Sequence, residues 1–341
     1  MLKHTKARHN RSRPLRWARQ GPGAVLSLMV TLLLALSLVP AGWARPPRPD
    51  APGERFLRAA TRQQEIDFGR PVRIAVLPSG QLLATYHNTD AVVHWDPARN
   101  RVIRVIHTGG QPTAVGWARG RIYVGNETSG AVEVYTPSGR LRGVLGGEAG
   151  QIARPSDLAL DAEQGLLFVT DTNLGRVLVY DLDGPLLRTL PAEGEARLNF
   201  PTGIAVDPGR REVLVSDFDG DATRYGLQGW VRIYDYAGKE LSGIRGSGVA
   251  AGKYGFSRPQ GLAVSAQGRI YLVDSYRGQV LVFDRASLSG IAMLGAVGSH
   301  PDQSRLWLPL DVAIDPGSQN VYVTNNLRRR IEQFDGKGWL P

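Results

Sequence analysis

The 341-residue chain contains no cysteine, which excludes disulfide bonds, a lipid-modified cysteine and cysteine-ligated metals. Histidine is also scarce, and the four histidines after the first fifty residues (His87, His94, His107 and His300) do not have the paired spacing of a zinc site. The chain has no Gly-x-Ser-x-Gly elbow, phosphate-binding loop or HExxH sequence. No motif of these enzyme classes therefore supports catalysis here.

Lysine is rare too, so the formal charge of +10 comes almost entirely from arginine. Seven of the positive charges lie in the first twenty residues, with no acidic residue among them. Without residues 1 to 44 the balance is 34 basic minus 31 acidic residues, or +3. A nearly neutral remainder gives little support to a nucleic-acid-binding surface, and none is predicted.

Long apolar runs are absent except for residues 24 to 39, which follow the basic segment and precede Pro40. Gly42-Trp43-Ala44 then forms a small-x-small cleavage site, so residues 1 to 44 have the three parts of a secretory signal peptide. The sequence predicts a periplasmic or secreted protein, and an uncleaved N-terminal anchor in the inner membrane is the alternative. No Arg-Arg pair precedes the run, which argues against a twin-arginine signal. Residues 45 to 63 are expected to form a Pro/Arg-rich linker.

The rest of the chain repeats one pattern six times. Each copy opens with a proline, at Pro71, Pro112, Pro155, Pro201, Pro259 and Pro309. Two apolar residues follow, with a small residue between them: Ala75, Gly116, Ala159, Ala205, Ala263 and Ala313. Later in each copy an aromatic residue ends a third apolar stretch: Trp95, Tyr135, Tyr180, Tyr234, Phe283 and Phe334. Turn residues separate four short stretches of strand character in each copy.

A four-stranded repeat of this period cannot bury both its faces alone, so the copies must stack, and radial stacking gives a β-propeller. The predicted fold is all-β, with six four-stranded antiparallel blades over residues 64 to 335 and a tail at 336 to 341. A two-sheet sandwich is the alternative. The last copy lacks a fourth strand, so residues 64 to 68 are predicted to pair with blade 6 and close the ring.

Several segments resemble the NHL-repeat and YVTN-type propeller families. The resemblance rests on Phe200-Pro-Thr-Gly-Ile-Ala-Val-Asp, Arg258-Pro-Gln-Gly-Leu-Ala-Val and Val321-Tyr-Val-Thr-Asn. It implies the propeller fold and a range of functions, since these families include peptide binders, RNA binders, sensor domains and a few lyases and lactonases. Amidating lyases of this fold hold zinc through a histidine directly after the repeat proline. Here that position holds other residues: Val72, Thr113, Ser156, Thr202, Gln260 and Leu310.

In a propeller, the starts of the first strands and the ends of the second strands lie on one face, the entrance face. Asp or Asn ends the second strand in five copies (Asn126, Asp171, Asp217, Asp274 and Asn325), a pattern typical of turn capping. Two residues after the opening proline, three copies depart from the small residues found elsewhere: Arg73, Asp157 and Asp311. We predict that these three side chains belong to a ligand-binding site at the channel entrance.

Blade 4 carries an insertion between its second and third strands, from Phe218 to Trp230. It contains Arg224 and Tyr225, and long loops on rigid scaffolds often carry function, so these four residues are also predicted to bind ligand. Asp217, Asp219 and Asp221 alternate as calcium ligands can, although the other features of an EF-hand loop are missing. A surface hairpin over the entrance is the main interpretation, and calcium or another divalent cation is the alternative.

Two functional hypotheses follow. The first is an exported, non-enzymatic propeller that recognises a protein, peptide or cell-envelope ligand on its entrance face and needs no cofactor. The second is a metal-dependent lyase or lactonase that uses the entrance carboxylates Asp157 and Asp311.

Overall fold

The computed structural model describes residues 54 to 57, 68 to 147, 151 to 218, 229 to 246, 254 to 295 and 306 to 335. These residues form six antiparallel sheets of four strands, with one short 3-10 turn at His87–Thr89. In blades 1 to 5 the strands of each sheet follow one another in sequence order, as the turn residues between them predict. The six-bladed all-β prediction is confirmed.

The strands of the first three blades are as follows. Blade 1 contains β2 (Pro71–Val76), β3 (Leu82–Tyr86), β4 (Ala91–Asp96) and β5 (Arg101–His107). Blade 2 contains β6 (Pro112–Ala118), β7 (Arg121–Asn126), β8 (Ala131–Tyr135) and β9 (Leu141–Leu145). Blade 3 contains β10 (Pro155–Asp161), β11 (Leu166–Asp171), β12 (Arg176–Asp181) and β13 (Leu186–Leu190).

The strands of the last three blades continue the series. Blade 4 contains β14 (Pro201–Asp207), β15 (Glu212–Phe218), β16 (Gly229–Asp235) and β17 (Glu240–Arg245). Blade 5 contains β18 (Pro259–Ser265), β19 (Arg269–Asp274), β20 (Gln279–Asp284) and β21 (Gly290–Leu294). Blade 6 contains β22 (Pro309–Ile314), β23 (Val321–Asn325) and β24 (Arg330–Phe334), and β1 (Glu54–Leu57) pairs with β24.

The first strands of neighbouring blades contact one another around the whole ring, and β22 of blade 6 contacts β2 of blade 1. The small residue of each first strand suits this crowding at the axis. At Gly116, for example, an added Cβ would lie 2.2 Å from Leu160 and 2.5 Å from Leu158 of the next blade. The six small residues therefore follow from the packing of innermost strands, as the repeat predicts.

The third-strand aromatic residues are all buried, with exposed fractions of 6% or less. Each packs with apolar residues of the preceding blade: Tyr180 with Tyr123 and Val132 of blade 2, and Phe283 with Leu214 and Val231 of blade 4. The hydrophobic core therefore consists of six clusters, one at each junction between blades. This confirms the predicted role of the aromatic residue as the filler between blades.

The strand that lies beside β24 differs in position from the prediction. The structure gives Glu54–Leu57 antiparallel to β24, with Glu54 opposite Phe334. Residues 64 to 67 of the predicted closing segment lie outside the described residues, and Phe68 is a buried residue that packs on Tyr86, with ring centroids 5.6 Å apart. That an N-terminal segment closes the ring stays a prediction.

Candidate functional site

The ring of Asp and Asn side chains at the ends of the second strands lies on the entrance face and is fully buried. Each accepts hydrogen bonds from backbone N–H groups of adjacent loops. The Asp171 carboxylate, for example, accepts from the N–H groups of Ala153 and Arg154 at 2.9 and 3.1 Å. Asn325 Oδ1 likewise accepts from the N–H of Trp307 at 2.8 Å. The turn-capping interpretation of these residues is confirmed, because their oxygens hold the connections between blades in place.

Arg73, Asp157 and Asp311 lie together at the axis of the ring. The Arg73 side chain leaves blade 1 and places Nη1 3.6 Å from Asp157 Oδ2 and 3.7 Å from Asp311 Oδ1, which belong to the opposed blades 3 and 6. Its guanidinium also donates to three backbone carbonyls: Nε to Ser156 at 3.0 Å, Nη1 to Leu310 at 3.2 Å, and Nη2 to Thr202. One side chain thus joins blades 1, 3, 4 and 6.

The two carboxylates of this axial cluster are themselves held by backbone N–H groups of the following blades. Asp311 Oδ2 accepts from the N–H of Ile74 at 2.9 Å, and Asp157 Oδ2 accepts from the N–H of Ile204 at 3.2 Å. All three charged side chains have exposed fractions of 7% or less. The cluster is therefore internally bonded and closed to bulk water.

Burial raises the pKa of both carboxyl groups. In Asp157 the positive charge of Arg73 and the N–H groups of Ile204 and Leu158 oppose that rise. In Asp311 the negative charge of Asp157 adds to the effect of burial, and the pKa is raised to about 8. Two buried carboxyl groups around one guanidinium thus share a single compensating charge.

Beyond the axial cluster the channel is apolar. A cavity of about 240 Å³ is lined by the first strands of all six blades, with Asp157 and Asp311 as its charged lining residues. Ile74, Val264 and Trp117 are among the apolar ones. The axial cluster therefore closes one end of a channel whose walls offer hydrophobic contact.

The structure separates the predicted site residues into two regions. Phe218 ends the second strand of blade 4, where it is 6% exposed and packs edge-on against Phe200 with ring centroids 6.3 Å apart. Trp230 begins the third strand of blade 4 and is half-buried. Arg245 stacks over the Trp230 ring at 3.9 Å, and Arg232 lies 5.1 Å from it. Arg224 and Tyr225 lie outside the described residues, so their part in binding stays a prediction.

The predicted divalent-cation ligands also lie only partly within the described residues. Asp219 and Asp221 lie outside the described residues, whereas Asp217 is fully buried. The Asp217 carboxylate accepts from the N–H groups of Asn199 and Phe200 at 2.9 and 2.8 Å and from Arg232 Nε at 3.2 Å. Among the residues with described positions, no group of three or more His, Asp or Glu side chains has the arrangement of a metal site. The calcium alternative stays a prediction.

On blades 5 and 6 the entrance face displays two exposed aromatic side chains that the repeat pattern does not predict. The triplet Arg328-Arg329-Arg330 of blade 6 could be noted from the sequence, either as a holder of an anionic ligand or, more commonly, as a solvated hairpin tip. Tyr276 is 55% exposed and Trp307 37% exposed. Asp274 Oδ1 accepts from the N–H groups of Arg258, Tyr276 and Arg277, so these three residues surround one buried oxygen. Their signal in the sequence is weak, because they stand at turn positions where the repeat requires no particular side chain.

Blade 6 repeats this arrangement around Trp307. The N–H of Leu327 donates to the Trp307 carbonyl at 3.2 Å, and Arg328 Cζ lies 5.8 Å from the centre of the Trp307 ring. Trp230 on blade 4 and Trp307 on blade 6 thus each lie beside arginine, and Tyr276 lies on blade 5 between these two blades. We call Trp230, Tyr276, Trp307, Arg258, Arg277, Arg328 and Arg245 the aromatic–arginine sector.

Blades 1 to 3 carry a different polar network on the same face. His87 Nε2 lies 3.4 Å from Glu127 Oε2, and Arg154 Nε lies 3.1 Å from Glu127 Oε1. Contact with His87 and the charge of Arg154 lower the pKa of Glu127, although burial opposes them. The acid on this side therefore has two basic partners, and its charge is compensated within the protein.

The sheet order and the contacts between first strands define a six-bladed β-propeller whose axis is closed at one end by Arg73, Asp157 and Asp311. Within it, residues 256 to 283, which form most of blade 5, match the family model described as the NHL repeat.

Solved structures of other propellers share the architecture. Hydrazine synthase of Kuenenia stuttgartiensis aligns with a TM-score of 0.59 and 12% identity, over 81% of this chain and 99% of that chain. A streptogramin B lyase structure aligns with a TM-score of 0.55 and 10% identity, over 82% of this chain and 96% of that one. At these identities the likeness concerns the fold.

Proposed function

We propose that this protein is an exported β-propeller binding module that recognises a protein or peptide ligand on its entrance face. One observation carries the proposal: the aromatic–arginine sector has an aromatic side chain on each of three consecutive blades, and two of the three rings lie against arginine. Trp, Tyr and Arg dominate the residues whose removal costs most in protein interfaces. Tyr276 and Trp307 are also large side chains with substantial exposure on the same face of neighbouring blades, and exposed apolar surface of this kind is found at interaction sites.

The other predicted site residues support this surface in different ways. The Phe218 and Trp230 side chains stand at the two described ends of the blade 4 insertion, so Arg224 and Tyr225 within it belong beside the sector in our proposal. Arg73, Asp157 and Asp311 lie deeper, where their charges are compensated by one another and by backbone groups. In our proposal they form the floor of the binding mouth and hold its rim in position.

Export is the second part of the proposal, and it rests on the predicted signal peptide in residues 1 to 44. Among the described residues no helix is long and apolar enough to cross a membrane. N-terminal sequencing of protein recovered from the cell envelope or medium should begin near Arg45. Recovery of the chain in the cytoplasm with Met1 intact would contradict export, and an intact Met1 in the membrane fraction would favour the anchor.

Alanine variants test the binding face. Trp230→Ala, Tyr276→Ala and Trp307→Ala, combined, should abolish capture of the partners that the parent protein retains from envelope extract, because the rings supply the apolar contact area. The matched control is Leu141→Ala with Leu187→Ala, which removes side chains exposed to a similar extent on outer strands of blades 2 and 3. Unchanged capture by the triple variant, with the melting temperature preserved, would contradict the proposed face.

A further inference from the structure

The charge of the aromatic–arginine sector is compensated incompletely. In blade 5, the carboxylate of Asp274 is fully buried and accepts hydrogen bonds from four backbone N–H groups, those of Ser257, Arg258, Tyr276 and Arg277. Arg277 Nε is 3.9 Å from it, and no salt bridge involves Arg258 among the described residues. The single negative charge of Asp274, which is already hydrogen-bonded to backbone groups, is therefore the acid beside the guanidinium groups of Arg258 and Arg277.

The positive charge of Arg328 on blade 6 is also compensated incompletely. Its Nε is buried and has no hydrogen-bond partner in the part of the chain that the structure describes. Burial and the neighbouring charge of Arg330 lower the pKa of Arg328, although the charge of Glu332 opposes them. Burial also lowers the pKa of Arg258, although the charge of Asp274 opposes it. Both guanidinium groups are held partly away from water at a cost that a bound anion would offset.

The nearest acid on blade 6, Glu332, is hydrogen-bonded to residues other than Arg328. Glu332 Oε1 accepts from Asn325 Nδ2 at 2.9 Å and from Arg330 Nε at 2.6 Å, so it compensates Arg330. On the other half of the face, Glu127 lies between His87 and Arg154. Arg258 and Arg328 thus form no salt bridge within the described residues, and they lie on the same two blades as Tyr276 and Trp307.

The composition of this surface favours a peptide over other polyanions. An extended nucleic acid or polysaccharide is bound chiefly by rows of cations along its backbone, whereas here few arginines alternate with aromatic rings and the chain beyond residue 44 has a net charge of +3. Arginine clusters recognise acidic peptide motifs through paired N–H groups, and exposed aromatic rings receive the apolar side chains between the acids.

We propose that the ligand of the entrance face is an acidic peptide segment that crosses blades 5 and 6. Its carboxylates contact Arg258 and Arg328, and an aromatic or aliphatic side chain of the peptide packs between Tyr276 and Trp307. This inference rests on the proposed binding function and adds the chemical class of the ligand. Arg277 also donates to the Gly255 carbonyl and lies 3.9 Å from Asp274, so in this proposal it lies at the edge of the peptide site.

Fluorescence anisotropy with the purified full chain tests the ligand class. The probes are a labelled dodecapeptide in which Glu and Asp alternate with Tyr and Leu, the same peptide with Lys in place of the acids, a uridine dodecanucleotide and a glucuronate oligosaccharide of equal charge. We expect binding of the acidic peptide and none of the lysine peptide. Arg328→Gln should weaken acidic-peptide binding about tenfold, the size expected for one charge-assisted hydrogen-bonded pair.

The matched control is Arg140→Gln with Arg142→Gln, which removes two exposed arginines at the start of the outer strand of blade 2. Both should leave peptide affinity unchanged, and the circular dichroism melting curve identifies any variant that fails to fold. If Arg328→Gln misfolds, Arg328→Lys takes its place, with a smaller loss expected because lysine cannot pair in a bidentate manner.

Two results would overturn the inference, and the second of them leaves the proposed function intact. The oligonucleotide or the oligosaccharide could bind more tightly than the acidic peptide with the same sensitivity to Arg328→Gln, or the acidic peptide could fail to bind although the aromatic triple variant abolishes partner capture. Failure of the triple variant to affect capture would instead contradict the proposed function itself.

Discussion

Arg73 is the residue on which four blades converge, since its guanidinium contacts oxygens of blades 3, 4 and 6 from a backbone position in blade 1. Oxygen atoms of different blades thus meet around one positive charge at the axis. Removing one partner from such a buried group leaves the others uncompensated, which costs more than the pair contributes when intact.

Arg73→Met should therefore lower the free energy of unfolding by about 3 to 5 kcal/mol, although methionine keeps much of the side-chain volume. Urea denaturation followed by tryptophan fluorescence measures the change. Arg142→Met, at an exposed position of β9, is the control and should change stability by less than about 0.5 kcal/mol. If the two variants unfold at the same urea concentration, Arg73 does not hold the blades together.

The buried carboxyl of Asp311 makes a pH-dependent contribution to stability with a defined sign. Its pKa is about 8 in the folded protein, raised by burial and by Asp157, and close to 3.8 when unfolded. Between these values the folded state binds more protons than the unfolded state, so this contribution is present below pH 4 and is lost as the pH rises towards 8.

Asp311→Asn should remove that part of the pH dependence. The difference in unfolding free energy between parent and variant should change with pH between 4 and 8, with a slope no steeper than about 1.4 kcal/mol per unit, the limit for one proton. Urea titrations at four pH values across this interval measure the slope. Parallel curves for the two proteins would show that Asp311 has an ordinary pKa.

At the scale of the element, most of the residues that determine the structure of a blade could be predicted from the sequence. The proline, the small residue and the aromatic residue recur because every copy must begin at the axis, crowd against its neighbours and fill the wider gap further out. Such positions are predictable since six copies meet one physical requirement. Tyr276 and Trp307 were not predictable in this way, because turn tips face solvent and packing does not select their side chains.

The burial of Arg73, Asp157 and Asp311 was also beyond the sequence pattern. Their departure from the repeat indicated a common role, and the structure brings both carboxylates within 4 Å of the Arg73 guanidinium. However, whether charges at the mouth of a channel face water or each other depends on the width of the ring at that level. That width is set by the packing of all six first strands together.

The junction between blades 4 and 5 gives a direct test of the element packing. Phe283 is 3% exposed and meets Phe256 edge-on at 6.2 Å. Phe283→Ala should reduce the free energy of unfolding by about 3 to 5 kcal/mol, the cost of a large cavity in a core. Calorimetry measures the loss, and Leu141→Ala, at a 52% exposed position, is the control. Equal melting temperatures for both variants would be inconsistent with a packed junction.

The strand β1 raises a further question at this scale, because it supplies the fourth strand beside β24 from a distant part of the chain. Deleting residues 45 to 57 should lower the melting temperature, since the edge of blade 6 loses its backbone hydrogen bonds. Deleting residues 45 to 53 removes the preceding linker alone and should have little effect. A protein that melts at the same temperature after both deletions would contradict closure of the ring by an N-terminal strand.

At the scale of the whole molecule, the residues that stabilise the ring differ from the residues proposed to bind a ligand. The charged axial cluster and the six interblade clusters explain stability through residues that are buried. Tyr276 and Trp307 of the aromatic–arginine sector are exposed, and packing of the described residues does not require an aromatic side chain at either position. Exposure of apolar rings to water is unfavourable, and these rings contribute nothing to the core. We therefore propose that a ligand covers them.

Site-directed photocrosslinking in living cells tests this central claim most directly. A photoreactive phenylalanine analogue is placed at Tyr276 or Trp307 on the entrance face, and at Arg140 or Leu187 on outer parts of blades 2 and 3. We expect both entrance positions to crosslink to the same partner and the two outer positions to give no crosslink to it. Crosslinks to one partner from Arg140 or Leu187, with none from Tyr276 and Trp307, would contradict it.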